Sequence, residues 1–194
     1  MKIYFMVYFF KFINNEIRSI TMEGYWTLKT GVPKDIDVRA QVAYKEIISY
    51  VTQFLCADHP FRDGDVCPFA RRAIQADTLH FTYILPGVSK KECMSTLRAA
   101  ISHYETWKRS HKDYGAMIVY LVEKKSERWV KSIHRKLANE AMQRNLILGN
   151  LHPESPSHSF HSKHWFPLRS PYPMFLVRDM VSSDEQHLKK SRLI

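Results

Sequence analysis

The stretch Ser89 to Val122, SKKECMSTLRAAISHYETWKRSHKDYGAMIVYLV, decides the fold. It opens with Ser89-Lys-Lys-Glu92, a capping box: the serine oxygen accepts from the Glu92 amide and the Glu92 carboxylate reaches back to the Ser89 amide. A helix therefore starts at residue 90 and runs to about Ser110, with Cys93, Leu97, Ala100, Ile101 and Tyr104 on its inward stripe. Gly115 to Val122 is a continuous apolar run, as expected of a central strand covered on both faces. A capped amphipathic helix handing its chain to such a strand implies a sheet with helices packed on it. The expectation is a single α+β domain with a mixed or largely antiparallel sheet of about four to five strands.

Upstream, Leu79 to Leu85 alternates as a half-buried strand and closes on Pro86-Gly87. Before it, Asp35 or Asp37 can cap a helix that puts Val38, Val42, Ile48, Val51 and Leu55 on one side and ends near Cys56. Cys56 to Phe69 is dense in turn formers and leads to Ala70-Arg-Arg72. Downstream, Ser126 caps a helix with Trp129, Val130, Ile133, Leu137, Ala141 and Met142 on a single stripe. Asn145 to Gly149 and Met174 to Arg178 read as strands, with a long loop between them. Asp184 to Lys190 reads as a short helix or tail, and 191–194 as tail. The domain is set at 22–190, with no internal repeat, P-loop or Gly-x-Gly-x-x-Gly in it.

Residues 1–21 read as a separate extension. Its run KIYFMVYFFKFI is broken by Lys11 and falls short of the roughly 20 apolar residues a membrane helix needs, so no membrane partner is expected. No small-residue cleavage site follows. A strand and a membrane anchor compete with a third reading, a start-codon artefact, which is preferred because Met22-Glu-Gly-Tyr begins a chain of ordinary globular texture.

The 194 residues carry 29 Lys plus Arg against 19 Asp plus Glu, a formal charge of +10. That favours anionic partners. These are nucleic acid, an anionic lipid face or a small ligand carrying carboxylates or phosphates; the excess is scattered rather than gathered into a stripe, which weakens the nucleic-acid reading. The cysteines Cys56, Cys67 and Cys93 are odd in number with no paired spacing, so neither a disulfide framework nor a cysteine-rich zinc site is indicated, and a reducing cytoplasm fits.

Three constellations can carry chemistry. The loop from Asn150 to Asp179 holds His152, His158, His161 and His164; the last three read as water-facing. His152 follows a strand at once and precedes Pro153, which holds its backbone extended and fixes where the imidazole leaves the sheet. It can be a metal ligand, an acid/base group or a hydrogen-bonded structural histidine. Cys67-Pro68-Phe69 offers a thiolate with Arg71 and Arg72 just beyond, or a small buried hydrophobe. Phe166 to Phe175 carries Arg169 between prolines that limit its freedom, which suits a bidentate clamp on a carboxylate. Arg178, inside the following strand, needs solvent, a ligand or an acid such as Asp179 or Asp184; for both arginines a structural salt bridge is the plain alternative.

Asp65-Val-Cys67-Pro-Phe69, Leu151-His-Pro153 and Pro167-Leu-Arg-Ser-Pro-Tyr-Pro-Met-Phe-Leu-Val-Arg-Asp-Met180 resemble a bacterial domain family of unknown function over roughly residues 36 to 190. The layout also resembles the haem-dependent N-oxygenases typified by the guanitoxin-pathway N-hydroxylase, with Asn150 where that family has glycine and Pro68 following Cys67. That resemblance implies a b-type haem with His152 as proximal iron ligand and basic side chains such as Arg169 and Arg178 near its propionates. It implies an amine oxidised by dioxygen, with Cys67 and Arg169 as the catalytic candidates. The reading needs Cys67 and His152 to line one pocket; if they lie apart, His152 is the one retained. The alternative is a non-catalytic small-ligand or partner-binding domain of a biosynthetic cluster, with Arg169 and Arg178 holding a carboxylate. A homodimer is the expected oligomer.

Overall fold

The computed structural model describes residues 24–111, 113–123, 127–182 and 184. In chain order it contains α1 (Val38–Ser49), a π-helical continuation (Tyr50–Leu55), α2 (Ala70–Gln75), β1 (Leu79–Ile84), α3 (Lys90–Ser110), β2 (Ala116–Leu121), α4 (Glu127–Met142), β3 (Leu146–Leu151) and β4 (Met174–Asp179). The strands form one sheet in the order β1-β2-β4-β3. β1 lies parallel to β2, with α3 as the crossover such a pair needs, and β4 runs antiparallel to both of its neighbours. The sheet is therefore mixed and four-stranded within an α+β domain. The expected extension 1–21, the Ser126 cap, and residues 185–190 and 191–194 lie outside the described residues.

The deciding stretch folds as its residues dictate. The Ser89 hydroxyl accepts from the Glu92 amide at 3.2 Å, and the Ser89 amide donates to the Glu92 carboxylate at 2.7 Å. Cys93, Leu97, Ala100, Ile101 and Tyr104 are buried along α3. Every residue of β2 is buried. Between them the chain passes close against its neighbours at Gly115. A Cβ there would meet the Trp107 ring at 2.6 Å and the Thr78 carbonyl oxygen at 2.9 Å, so only glycine fits.

Two cores result. On one face α3 and α4 set Leu97, Ile101, Ile133 and Leu137 against Val119, Leu121, Phe175 and Val177. On the other, α1 and the segment around Trp26 cover Phe81, Ile118, Tyr120 and Met174. Each fully buried aliphatic side chain stabilises by about 1.5–3 kcal/mol.

Two expectations are corrected. Asp37 does cap α1, accepting from the Arg39 amide at 2.8 Å, but Val38 and Val42 are 70% and 50% exposed. The buried stripe is Ala40, Ala43, Tyr44, Ile47 and Val51. Alanines let the helix approach an aromatic floor, where the Tyr120 hydroxyl donates to the Ala40 carbonyl at 3.0 Å. The wider turns from Tyr50 on then rotate the stripe away from a 3.6-residue period. β1 is not half-buried: Leu79, His80, Phe81, Thr82 and Ile84 are all covered. The Trp26 segment pairs with its outer edge, with Trp26 donating to Phe81 at 3.2 Å and Phe81 to Trp26 at 2.8 Å.

Candidate functional site

β4 separates the residues singled out from the sequence. At its start Met174 pairs with Leu151, and His152 follows directly. At its far end Arg178 stands opposite Ala116 and Ile147. Four residues of strand span about 13 Å.

His152 is 2% exposed, and its carbonyl accepts from the Ser155 amide at 3.0 Å. Cys67 is half-buried, within electrostatic reach of Tyr50, Tyr114 and Arg178.

Arg178 is committed. It forms a two-pronged pair with Asp184 at 2.6 and 2.7 Å, donates to the Asp179 carbonyl at 2.8 Å, and stacks 5.7 Å over the Phe69 ring. Burial works against its charge, but the bonds to Asp184 together with the nearby Tyr114 and Cys67 hold its pKa above the ordinary value. Tyr114, which sequence reasoning passed over, stacks on Phe69 at 4.7 Å with its hydroxyl buried and without a hydrogen bond among the described residues. Burial pushes its pKa up.

Arg169 is the opposite case. Its amide donates to the Phe166 carbonyl at 3.1 Å, closing the turn that the prolines stiffen. Its guanidinium lies 4.0 Å above the Phe166 ring, and Nε donates to the Ser155 carbonyl at 3.1 Å. The residue is exposed, and among the described residues no carboxylate pairs with it. The segment is anchored from behind by the Tyr50 hydroxyl, which donates to the Pro167 carbonyl at 2.6 Å.

The loop's remaining rings explain how it is ordered. Trp165 packs against Phe54, Phe61 and His59, the last at 4.6 Å edge-to-face. His158, His161 and His164 are exposed as expected, yet the His161 ring also sits 5.1 Å from that of His59. His59 Nδ1 accepts from the Phe61 amide at 3.0 Å; burial, then Arg62 and His161, lowers its pKa. Beside the local Phe61, the ring partners of His59 are Trp165 and His161 from a loop about a hundred residues later, which no local signal announces.

Among the described residues no three His, Cys, Asp or Glu side chains converge as a metal-binding group. A haem on His152 needs an open face on the imidazole, whereas the residue is 2% exposed, and Arg178, expected near the propionates, is taken up by Asp184. As arranged, the set does not fit a haem. A polar recess of about 270 Å³ lies elsewhere, between the ends of α3 and α4, but its cations are paired: Lys108 with Asp179 at 2.7 Å, Arg109 and Arg144 with Glu105 at 2.9 and 3.4 Å.

The family model described as a domain of unknown function, DUF6875, matches residues 44–193, and the chain belongs to that family. No curated protein and no solved structure matches it. Among the described residues no helix is long and apolar enough to cross a membrane.

Proposed function

We propose that this DUF6875 domain binds a small acidic ligand, and that Arg169 makes the two-pronged contact to its carboxylate or phosphate. One observation carries the reading: Arg169 is positioned but uncommitted. Arg39, Arg71, Arg98, Arg109, Arg144 and Arg178 each face a carboxylate. Arg169 instead is fixed by an aromatic face and a backbone carbonyl, neither of which neutralises it. Its terminal nitrogens make no hydrogen bond to the described residues, so the planar fork that matches a carboxylate is presented outward. Little side-chain freedom remains to be lost on binding. The net charge of +10 draws anions to the surface, and the guanidinium supplies the geometry.

The test is a thermal-shift screen of dicarboxylates, tricarboxylates and inorganic phosphate against the metal-free protein. A stabilising anion is expected, with the shift abolished in Arg169→Ala and reduced in Arg169→Lys, which keeps the charge but not the fork. Stabilisation that survives Arg169→Ala would remove the clamp.

The oxygenase reading is carried by the resemblance alone, with His152 as the iron ligand. Its test is the ultraviolet-visible spectrum of protein expressed with haem precursor and iron. A Soret band lost in His152→Ala would establish it; a colourless folded protein would end it.

A further inference from the structure

Cys67 is one side of a hairpin whose other side carries Cys56. The Val66 amide donates to the Ala57 carbonyl and the His59 amide to the Gly64 carbonyl, both at 2.8 Å, and these two bonds flank the bridged pair Asp58 and Asp65. Beyond that pair the ladder stops, because the Ala57 amide turns to the Phe54 carbonyl at 3.1 Å and Pro68 has no amide hydrogen to give. The Cys67 amide instead donates at 2.8 Å to the Leu55 carbonyl, the one bonded to the Cys56 nitrogen. Across that bond the Cα atoms of Cys56 and Cys67 lie within about 7 Å, close to the roughly 4.4–6.8 Å a disulfide spans. Arginines brace the hairpin from both sides. Arg71 donates to the Cys56 carbonyl and pairs with Asp65, and Arg62 donates to the Asp65 carbonyl at 2.6 Å.

We infer that Cys56 and Cys67 are a redox pair that closes to an intramolecular disulfide and reopens on reduction. All three cysteines are thiols in the structure. Cys67 is half-buried and therefore reachable, Cys56 is 8% exposed, and Cys93 is 0% exposed within the α3 core. With a small-molecule disulfide as oxidant, the Cys67 thiolate attacks one of its sulfurs and releases one small thiolate, leaving a mixed disulfide. The Cys56 thiolate then attacks the Cys67 sulfur and displaces the second. Two protein thiols lose two electrons, and the two released thiolates take up the two protons. Burial raises the Cys56 pKa while the Arg71 guanidinium beside it pulls the other way, which fits Cys56 as the second, resolving thiol. The inference is independent of the Arg169 reading.

The test uses the full chain, incubated with oxidised or reduced glutathione, quenched with N-ethylmaleimide and digested with trypsin without reduction. Arg62 lies between the two cysteines, so cleavage after it leaves their peptides joined by the disulfide alone. The expected result is a joined peptide, two hydrogens lighter than the pair, under oxidised glutathione. It disappears with dithiothreitol and in Cys56→Ser, while Cys93 stays unlinked. Fragmentation of the wild-type joined peptide decides the assignment if Cys56→Ser fails to fold. A glutathione adduct on Cys67 with Cys56 alkylated and no joined peptide would overturn the inference, as would a cross-link to Cys93.

Discussion

The two faces of the sheet are covered by different means. Under α3 and α4 the contact is largely aliphatic, with Leu97, Ile101, Ile133 and Leu137 filling volume against Val119, Leu121 and Val177. Under α1 it is a set of rings in defined orientations: Trp26 to Tyr44 at 5.6 Å and 68°, Tyr44 to Phe81 at 5.1 Å and 88°, Trp26 to Tyr120 at 6.3 Å and 86°. An aliphatic face is held by area and depends on size. An aromatic face adds edge-to-face geometry and polar tips that must find partners, as the Tyr120 hydroxyl does on Ala40. The loops of the candidate site attach on the aromatic side, through Tyr50, Trp165 and Phe69.

The contrast can be broken most forcefully at Leu137, which is fully buried under the aliphatic face. Leu137→Ala should cost about 2–5 kcal/mol in urea unfolding, since nothing rigid in that layer can follow the lost methyls. A cost below about 1 kcal/mol would mean the layer is loosely packed.

His80 marks where the aliphatic face turns polar. Its ring packs 4.7 Å from Trp107, and Nε2 is buried without a hydrogen bond among the described residues. Burial, then the His103 charge, holds its pKa down to about 4, with His111 adding to the effect and Asp77 opposing it. The unfolded imidazole takes up its proton near the ordinary 6.5, and the folded one does not until about 4. The folded-state pKa is thus depressed for a base, and stability is lost as pH falls through that window. The loss is about 2 kcal/mol after allowing for solvent screening. His80→Leu should flatten the dependence of the urea midpoint between pH 7 and pH 4.5; an unchanged slope would assign it to other groups.

On the aromatic face, Tyr120→Phe removes one hydroxyl and leaves the Ala40 carbonyl without that donor, at an expected cost of about 1 kcal/mol. The smallest effect belongs to Val42→Glu. At 50% exposure the change should stay within about 0.5 kcal/mol, whereas a large loss would restore the inward-facing valine that the sequence pattern predicts.

Much of the fold was legible where the determinants are local. Ser89 and Glu92 act within one turn, and the all-apolar Ala116 to Leu121 states its own burial. Val38 and Val42 face solvent although they are apolar, because α1 needs small residues against rings and its stripe shifts where the helix widens at Tyr50. The cover over β1 was not legible, since Trp26 reaches Phe81 by a single bridge with no strand of its own. At the candidate site, Asp184 was foreseen among the possible partners of Arg178, and the turn around Arg169 followed from its prolines. The placing of His152 and Arg178 at opposite ends of β4 was hidden, because it depends on the register of β4 between two strands that sequence cannot align.

Arg169 and Arg178 state the account's central claim as a pair, one guanidinium held open and one already spent on Asp184. The most direct measurement is isothermal titration of the best stabilising anion into wild-type protein, Arg169→Ala and Arg178→Met. The account predicts that Arg169→Ala weakens binding at least tenfold at unchanged melting temperature. Arg178→Met should lower the melting temperature yet leave the affinity within about twofold at a temperature where it stays folded. Full affinity in Arg169→Ala, or loss confined to Arg178→Met, would contradict it.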